Sequence, residues 1–197
     1  MLGRTHIIIG LTTLAIAHSQ ILAAGGLIQP HPVAGIPTGP LFCLGAATVG
    51  ALLPDLDANE STIQQELGML GVAAQSGITL LGVKHRGVLH SGLATVIVLT
   101  LSTSIGYRLG YFDVGVAFGL GYASHVLLAD ALTVAGVPLF WPSSRRFHLL
   151  PRFLRIRTGG PAEWFVFIVV MAIFFWLIPE IFPADFIELL SGFMTDY

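Results

Sequence analysis

The stretches 6–28, 88–106, 112–133 and 163–181 each approach the length and apolar character of a helix that crosses a bilayer, which takes roughly 20 residues. A fifth stretch, 39–53, is shorter and spans with help from its flanks, or packs as a tilted or partly buried helix. Charged residues make up 10% of the 197 and hydrophobic residues 54%, where a soluble domain carries about 25% charged residues. Mean hydropathy is +0.82. A chain so poor in charge cannot cover itself with polar groups, and a lipid bilayer is the solvent that suits it. The expected fold is all-α: a polytopic membrane helix bundle of about five transmembrane helices, one integral membrane domain over 1–197. A net charge of −2 argues against a nucleic-acid partner. The single cysteine, Cys43, excludes an internal disulfide and sits in an apolar run as a packing residue.

Two segments admit more than one reading. Arg4, the following apolar run and "ILAAGG" resemble a secretory signal peptide, but a histidine at position 6 favours a retained span. Over 63–83, Gln64, Gln65, Gln75, Ser76 and Thr79 fall on one helical face and Ile63, Leu67, Leu70, Ala74, Ile78 and Leu81 on the other. That pattern favours an interfacial helix over a sixth span. Charge tests the topology, because Lys and Arg concentrate in cytoplasmic loops. With five spans and a cytoplasmic N-terminus, Arg4, Lys84, Arg86, Arg145, Arg146, Arg152, Arg155 and Arg157 all lie inside, and only Arg108 lies outside. The expected location is the cell inner membrane, with a basic cytoplasmic loop over 141–162.

That topology gathers the ionisable residues at one level. Asp55 and Asp57 end the second span, His85 and His90 precede or begin the third, and His125 and Asp130 close the fourth. His6 begins the first span and Glu163 the fifth. Ionisable groups at membrane depth are expensive and are functional candidates by default. If "PDLD" is extended, Asp55 and Asp57 point the same way, and a cation between them relieves their repulsion. His85/His90 and His125/Asp130 are each five apart, about 140° round a straight helix, so neither pair has the i, i+4 zinc-protease spacing. A mixed His/Asp set suits zinc, with manganese or iron as alternatives, as one or more ions. Simpler readings hold for other histidines. His18 bonds a neighbouring helix, His31 is a solvated outer-loop residue, and His148 is a surface group near the headgroups. Asp57 alone also reads as a helix N-cap.

The pieces "THIIIG", "GALLPDLD" with "ES", "KHRGVLHS", "GYASHVLLADALTVAGVPLFWP" and "RTGGPAEW" run in one order from residue 5 to about 164. Together they resemble the bacterial and archaeal membrane-bound metal-dependent hydrolase family of the LexA-regulated inner-membrane type. The resemblance implies a functional set of His6, Asp55, Asp57, His85, Arg86, His90, Ser91, His125, Asp130 and Glu163. The segment 62–83 departs from it, being apolar where the family is often more basic. The family's suspected kinship with zinc-dependent phospholipase C implies phosphoester chemistry.

The expected function is therefore metal-dependent hydrolysis of a lipid-like or phosphorylated substrate at the cytoplasmic face. Asp55, Asp57, His85, His90, His125 and Asp130 are the expected ligands, and Glu163 or Asp57 takes a proton from water. Arg86 holds a phosphate or carboxylate, or is simply a basic residue at a span end. Ser91 donates to a ligand or substrate, or bonds the preceding turn; His6 is an orienter or a further ligand. The alternative is a metal-binding membrane protein without turnover, a transporter or sensor. Transport usually calls for internal repeats and polar residues through the full depth, and the sequence has no evident repeat. A third option is a structural protein whose His and Asp bridge helices.

Overall fold

The computed structural model describes residues 1–33, 36–57, 76 and 87–182; at Asp57 only the backbone is described. His85, Arg86 and all but one position of the expected interfacial segment 63–83 lie outside the described residues. Among the described residues five α-helices carry the fold: α1 (Gly3–Gln20), α2 (Gly39–Leu52), α3 (Gly92–Leu109), α4 (Phe112–Ser124) and α5 (Pro161–Ile181). Short strands β1 (Pro32–Val33) and β2 (Ile36–Pro37) pair antiparallel in the loop between α1 and α2.

Among the described residues, four helical segments can cross a membrane by length and composition: Gly39–Leu56, Gly92–Leu109, Phe112–Leu132 and Pro161–Ile181. The chain is thus an all-α membrane bundle. Large apolar side chains on α3 and α5, among them Val96, Leu101, Phe165, Ile168 and Trp176, are exposed, as the lipid-facing surface of such a bundle must be. The first expected span is revised. The helix ends at Gln20, and Leu22–Ala24 forms a separate 3₁₀ turn closed by Gly25 at φ 98°. α1 is less apolar than the other helices because it carries Thr5, His6, Thr12, Thr13, His18 and Ser19. It packs among α2, α4 and α5.

Small residues allow the close approach of α2 and α4. A Cβ on Gly50 would lie 2.1 Å from the Phe118 carbonyl oxygen, and one on Gly121 would lie 2.2 Å from that of Ala47. Interfaces of small residues are how membrane helices maximise van der Waals contact when lipid supplies no hydrophobic drive. Leu14, Cys43, Ala47 and Ala117 are fully buried between α1, α2 and α4, and Phe174 and Leu177 of α5 close the same core. The helices alternate in direction. The start of α1, the end of α2, the start of α3 and the end of α4 therefore meet at one end of the bundle.

Candidate metal centre

Local backbone irregularities at that end present the side chains. After α2 the chain tightens into a 3₁₀ turn over Leu53–Asp57, which places Asp55 at the mouth of the bundle. "PDLD" is therefore not extended, and Asp55 and Asp57 do not share a face by strand periodicity. A second 3₁₀ turn, Val88–His90, delivers His90. Tyr122 pins that turn by donating its hydroxyl hydrogen to the Leu89 carbonyl at 2.5 Å. Ser91 caps α3: its Oγ accepts from the Ala94 N–H at 3.1 Å and donates to the Val88 carbonyl at 2.6 Å. Its hydroxyl is committed to backbone, as an N-cap serine's is.

α4 passes into a π turn over His125–Ala129, in which the Asp130 N–H donates to the His125 carbonyl, and then into a 3₁₀ turn over Asp130–Leu132. On a straight α-helix His125 and Asp130 diverge. An i→i+5 turn brings them to one face, and such single π turns recur at functional sites. His125 Nε2 lies 3.8 Å from Asp130 Oδ2.

Two carboxylates and three imidazoles converge in this space. His90 Nε2 lies 3.4 Å from Asp55 Oδ1 and 3.6 Å from Asp130 Oδ2. His125 Nε2 lies 3.6 Å from Asp55 Oδ1. Four donor atoms thus alternate N and O around one point. Zinc–ligand bonds of about 2.0–2.1 Å set tetrahedral ligand atoms roughly 3.3 Å apart, so these separations are slightly wide of a closed cage. His6 faces the other oxygens of the same two carboxylates, 3.7 Å from Asp130 Oδ1 and 4.0 Å from Asp55 Oδ2. Its ring stacks on that of His125 at 3.7 Å. The Met1 nitrogen also donates to Asp130 Oδ1, at 3.3 Å.

The donor chemistry fits a divalent cation. His6, His90, His125 and Asp130 are fully buried, and Asp55 is 19% exposed. Both ring nitrogens of His6 and Nε2 of His125 are buried without a hydrogen-bond partner among the described residues, and such groups are uncommon unless something binds them. A divalent ion would offset the negative charge of buried Asp130 and largely buried Asp55. The sets His6/His125/Asp130 and Asp55/His90/His125 each have ligand atoms within 4.8 Å of one another. His125 Nδ1 donates to the Ala51 carbonyl at 2.6 Å, which leaves Nε2 facing the cluster. That orienting carbonyl is invisible to a reading of side chains.

Glu163 lies apart from this set. Its Oε1 accepts from the Leu2 N–H at 2.6 Å and its Oε2 from the Gly159 N–H at 2.7 Å. It joins the start of α1 to the start of α5, and its contacts do not support the expected role of proton acceptor. The signal was legible: Gly160, Pro161 and Glu163 form the cap, N1 and N3 pattern of a helix start.

Two histidines away from the centre are also engaged. His18 accepts at Nδ1 from the Leu27 and Ile28 N–H groups and donates from Nε2 to the Glu180 carbonyl at 2.9 Å. His31, expected to be solvated, donates from Nε2 to the buried Asp113 at 2.7 Å.

The family model described as "YdjM inner membrane protein" matches residues 1–186. Inner membrane protein YdjM of Escherichia coli (strain K12) is 37% identical over 147 residues, covering 71% of this chain and 68% of that protein. The protein of the same name from Shigella flexneri gives the same values. The uncharacterized protein YvsG of Bacillus subtilis (strain 168) is 32% identical over 128 residues, 64% of this chain and 72% of its own. No solved structure matches the chain. A match that runs from the first residue through α5, agreeing with the resemblance carried by the motifs, decides the family: the chain belongs to the YdjM inner membrane proteins.

Proposed function

We propose that this protein is an integral membrane metal-dependent hydrolase acting at the cytoplasmic leaflet on a lipid-like ester, most readily a phosphoester. The observation that carries the reading is the convergence of His6, Asp55, His90, His125 and Asp130, with buried nitrogens of His6 and His125 lacking partners among the described residues. His90, His125, Asp55 and Asp130 hold the ion, and His6 completes the set. His85 is a further ligand from the chain just before them. A bound divalent metal, zinc before manganese or iron, supplies Lewis acidity toward an ester or phosphoryl oxygen and acidifies water.

The chain's own residues do the rest. The Ala51 carbonyl holds His125 in one tautomer. Asp55, the partly exposed ligand, marks the side from which substrate enters. With Glu163 committed to backbone amides, the proton acceptor is Asp57, two residues from Asp55 at the mouth of the bundle. Arg86 binds the anionic part of the substrate. The centre shares its end of the bundle with Arg4, Arg145, Arg146, Arg152, Arg155 and Arg157, while Arg108 ends α3 at the other. The positive-inside rule supports a cytoplasmic site.

One observation favours a second reading. Four of the five converging side chains are fully buried, which also suits a metal-binding membrane protein that senses or passes on an ion without turnover. Elemental mass spectrometry on detergent-purified wild type, His90→Ala and Asp55→Ala separates the possibilities, followed by an assay on phospholipid and soluble ester panels. Near-stoichiometric metal lost in both variants, with metal-dependent ester cleavage, supports the hydrolase. Metal without cleavage of any ester leaves the second reading. No metal after reloading ends both.

A further inference from the structure

Beyond Asp130 the chain folds back on the end of α4. The Ile156 N–H donates to the Leu132 carbonyl and the Val134 N–H to the Ile156 carbonyl, both at 3.0 Å. Ile156 is buried against Met1, Ile9 and Ala129, so its neighbours Arg155 and Arg157 flank an inward-facing anchor. Arg152, Arg155 and Arg157, with Val134 and Phe153, line a cavity of about 610 Å³. The Arg155 Nε–H donates to the Leu150 carbonyl at 3.3 Å, which holds that guanidinium in place. Among the described residues, no carboxylate lies within ion-pair distance of Arg152, Arg155 or Arg157.

Three guanidinium groups around one concavity repel each other unless an anion sits among them. The residue choice narrows the anion. A positive-inside signal is served equally by lysine, yet every cation between α4 and α5 is arginine. Arginine's planar fork matches the paired oxygens of phosphate, whereas lysine offers a point charge. The surroundings fix the depth. Phe153 is 84% exposed, and Leu154, Phe140 and Trp141 are also exposed. Such side chains enter the bilayer interface and bring the cavity to headgroup level.

We infer that Arg152, Arg155 and Arg157 form a binding site for a phosphate group, carried by an anionic lipid headgroup or by a soluble phosphorylated molecule. The site names the substrate class of the proposed hydrolase and rests on that reading only for turnover. Val134, which lines the cavity, follows Asp130 by four residues in the chain.

Full-length protein in phosphatidylcholine nanodiscs is titrated with inorganic phosphate by calorimetry, and retention of phosphatidylglycerol is read by native mass spectrometry. Arg152→Gln/Arg155→Gln/Arg157→Gln is compared with Arg145→Gln/Arg146→Gln, and Arg152→Lys/Arg155→Lys/Arg157→Lys serves as the charge-preserving variant. The glutamine triple is expected to lose roughly tenfold or more in affinity and the lysine triple several-fold, since paired charge-assisted bonds are lost; the double variant stays near wild type. Retained phosphatidylglycerol without phosphate binding identifies a lipid headgroup, and binding of both admits a soluble phosphorylated ligand. Equal loss in the glutamine triple and the double, or none in either triple, overturns the site. Metal content, measured in the same samples, is expected to be unchanged throughout. Anion binding with metal bound but no ester cleavage overturns only the hydrolase reading.

Discussion

The Nδ1–H of His125 donates to the carbonyl of Ala51 at 2.6 Å, so the last turn of α2 sets the tautomer of a histidine in α4. The π turn that follows His125 then decides whether Asp130 can join it. Inserting one alanine after Leu128 sets Asp130 six residues from His125, about 120° round a regular helix. Metal content is expected to fall to background while helix content by circular dichroism stays near that of wild type. Metal retained at wild-type stoichiometry would show that Asp130 is not a ligand.

His6 and His18 lie on the same helix and make opposite predictions. The His6 ring nitrogens have no hydrogen-bond partner among the described residues and face two carboxylates. His6→Ala is expected to weaken metal retention under chelator challenge by tenfold or more, about the effect of losing a ligand or its support. The His18 ring satisfies two backbone N–H groups and one carbonyl. His18→Ala orphans them and is expected to cost roughly 2 kcal/mol of stability, read as a lower unfolding temperature with metal content unchanged.

Glu163 separates a clamp from a base. Glu163→Gln keeps one acceptor oxygen and places an NH₂ against a backbone N–H, either that of Leu2 or that of Gly159. A loss of about 1–3 kcal/mol is expected, the cost of an unsatisfied buried donor. Metal content is expected to hold, and any esterase activity should fall only in proportion to folded protein. A large drop in turnover at unchanged stability would return Glu163 to the role of proton acceptor.

The contrast between Glu163 and His125 marks where sequence reading reaches and where it stops. Span length and scarcity of charge are summed properties, so a helical membrane bundle was legible from 112–133 and 163–181 alone. The meeting of His6, Asp55, His90, His125 and Asp130 was legible because alternating spans return the chain to one face. What escaped depends on backbone groups that carry no letter of their own. The Ala51 carbonyl, the amides held by Glu163 and the π turn at His125 are set by packing, and helical periodicity alone gives the wrong angle for His125 and Asp130. Ser91 was open to two readings, and the cap at Ala94 chose between them. The end of the first span at Gln20 was missed because apolar residues continue past the turn at Gly25.

Asp113 offers a test at the opposite end of the bundle, away from the proposed chemistry. Its buried carboxylate accepts from the Gln29 N–H at 2.9 Å, from His31 Nε2–H at 2.7 Å and from the Cys43 thiol at 3.4 Å. One side chain on α4 therefore ties down the loop after α1 and the first turns of α2. His31 is held there with φ at 43°, a left-handed conformation that a non-glycine residue adopts only when its surroundings enforce it. Asp113→Ala removes the acceptor from three donors, the His31 imidazole among them. The expected loss is about 3 kcal/mol, roughly 1 kcal/mol for each donor left without its acceptor. His31→Ala should cost less, because the backbone and thiol donors keep their acceptor. Neither variant is expected to alter metal content, since the helix ends that lead into the candidate ligands are the far ends of α2 and α4. Thermal unfolding in detergent measures the first effect and elemental mass spectrometry the second. Loss of metal in Asp113→Ala at a temperature where the protein is still folded would mean that the two ends of the bundle are coupled.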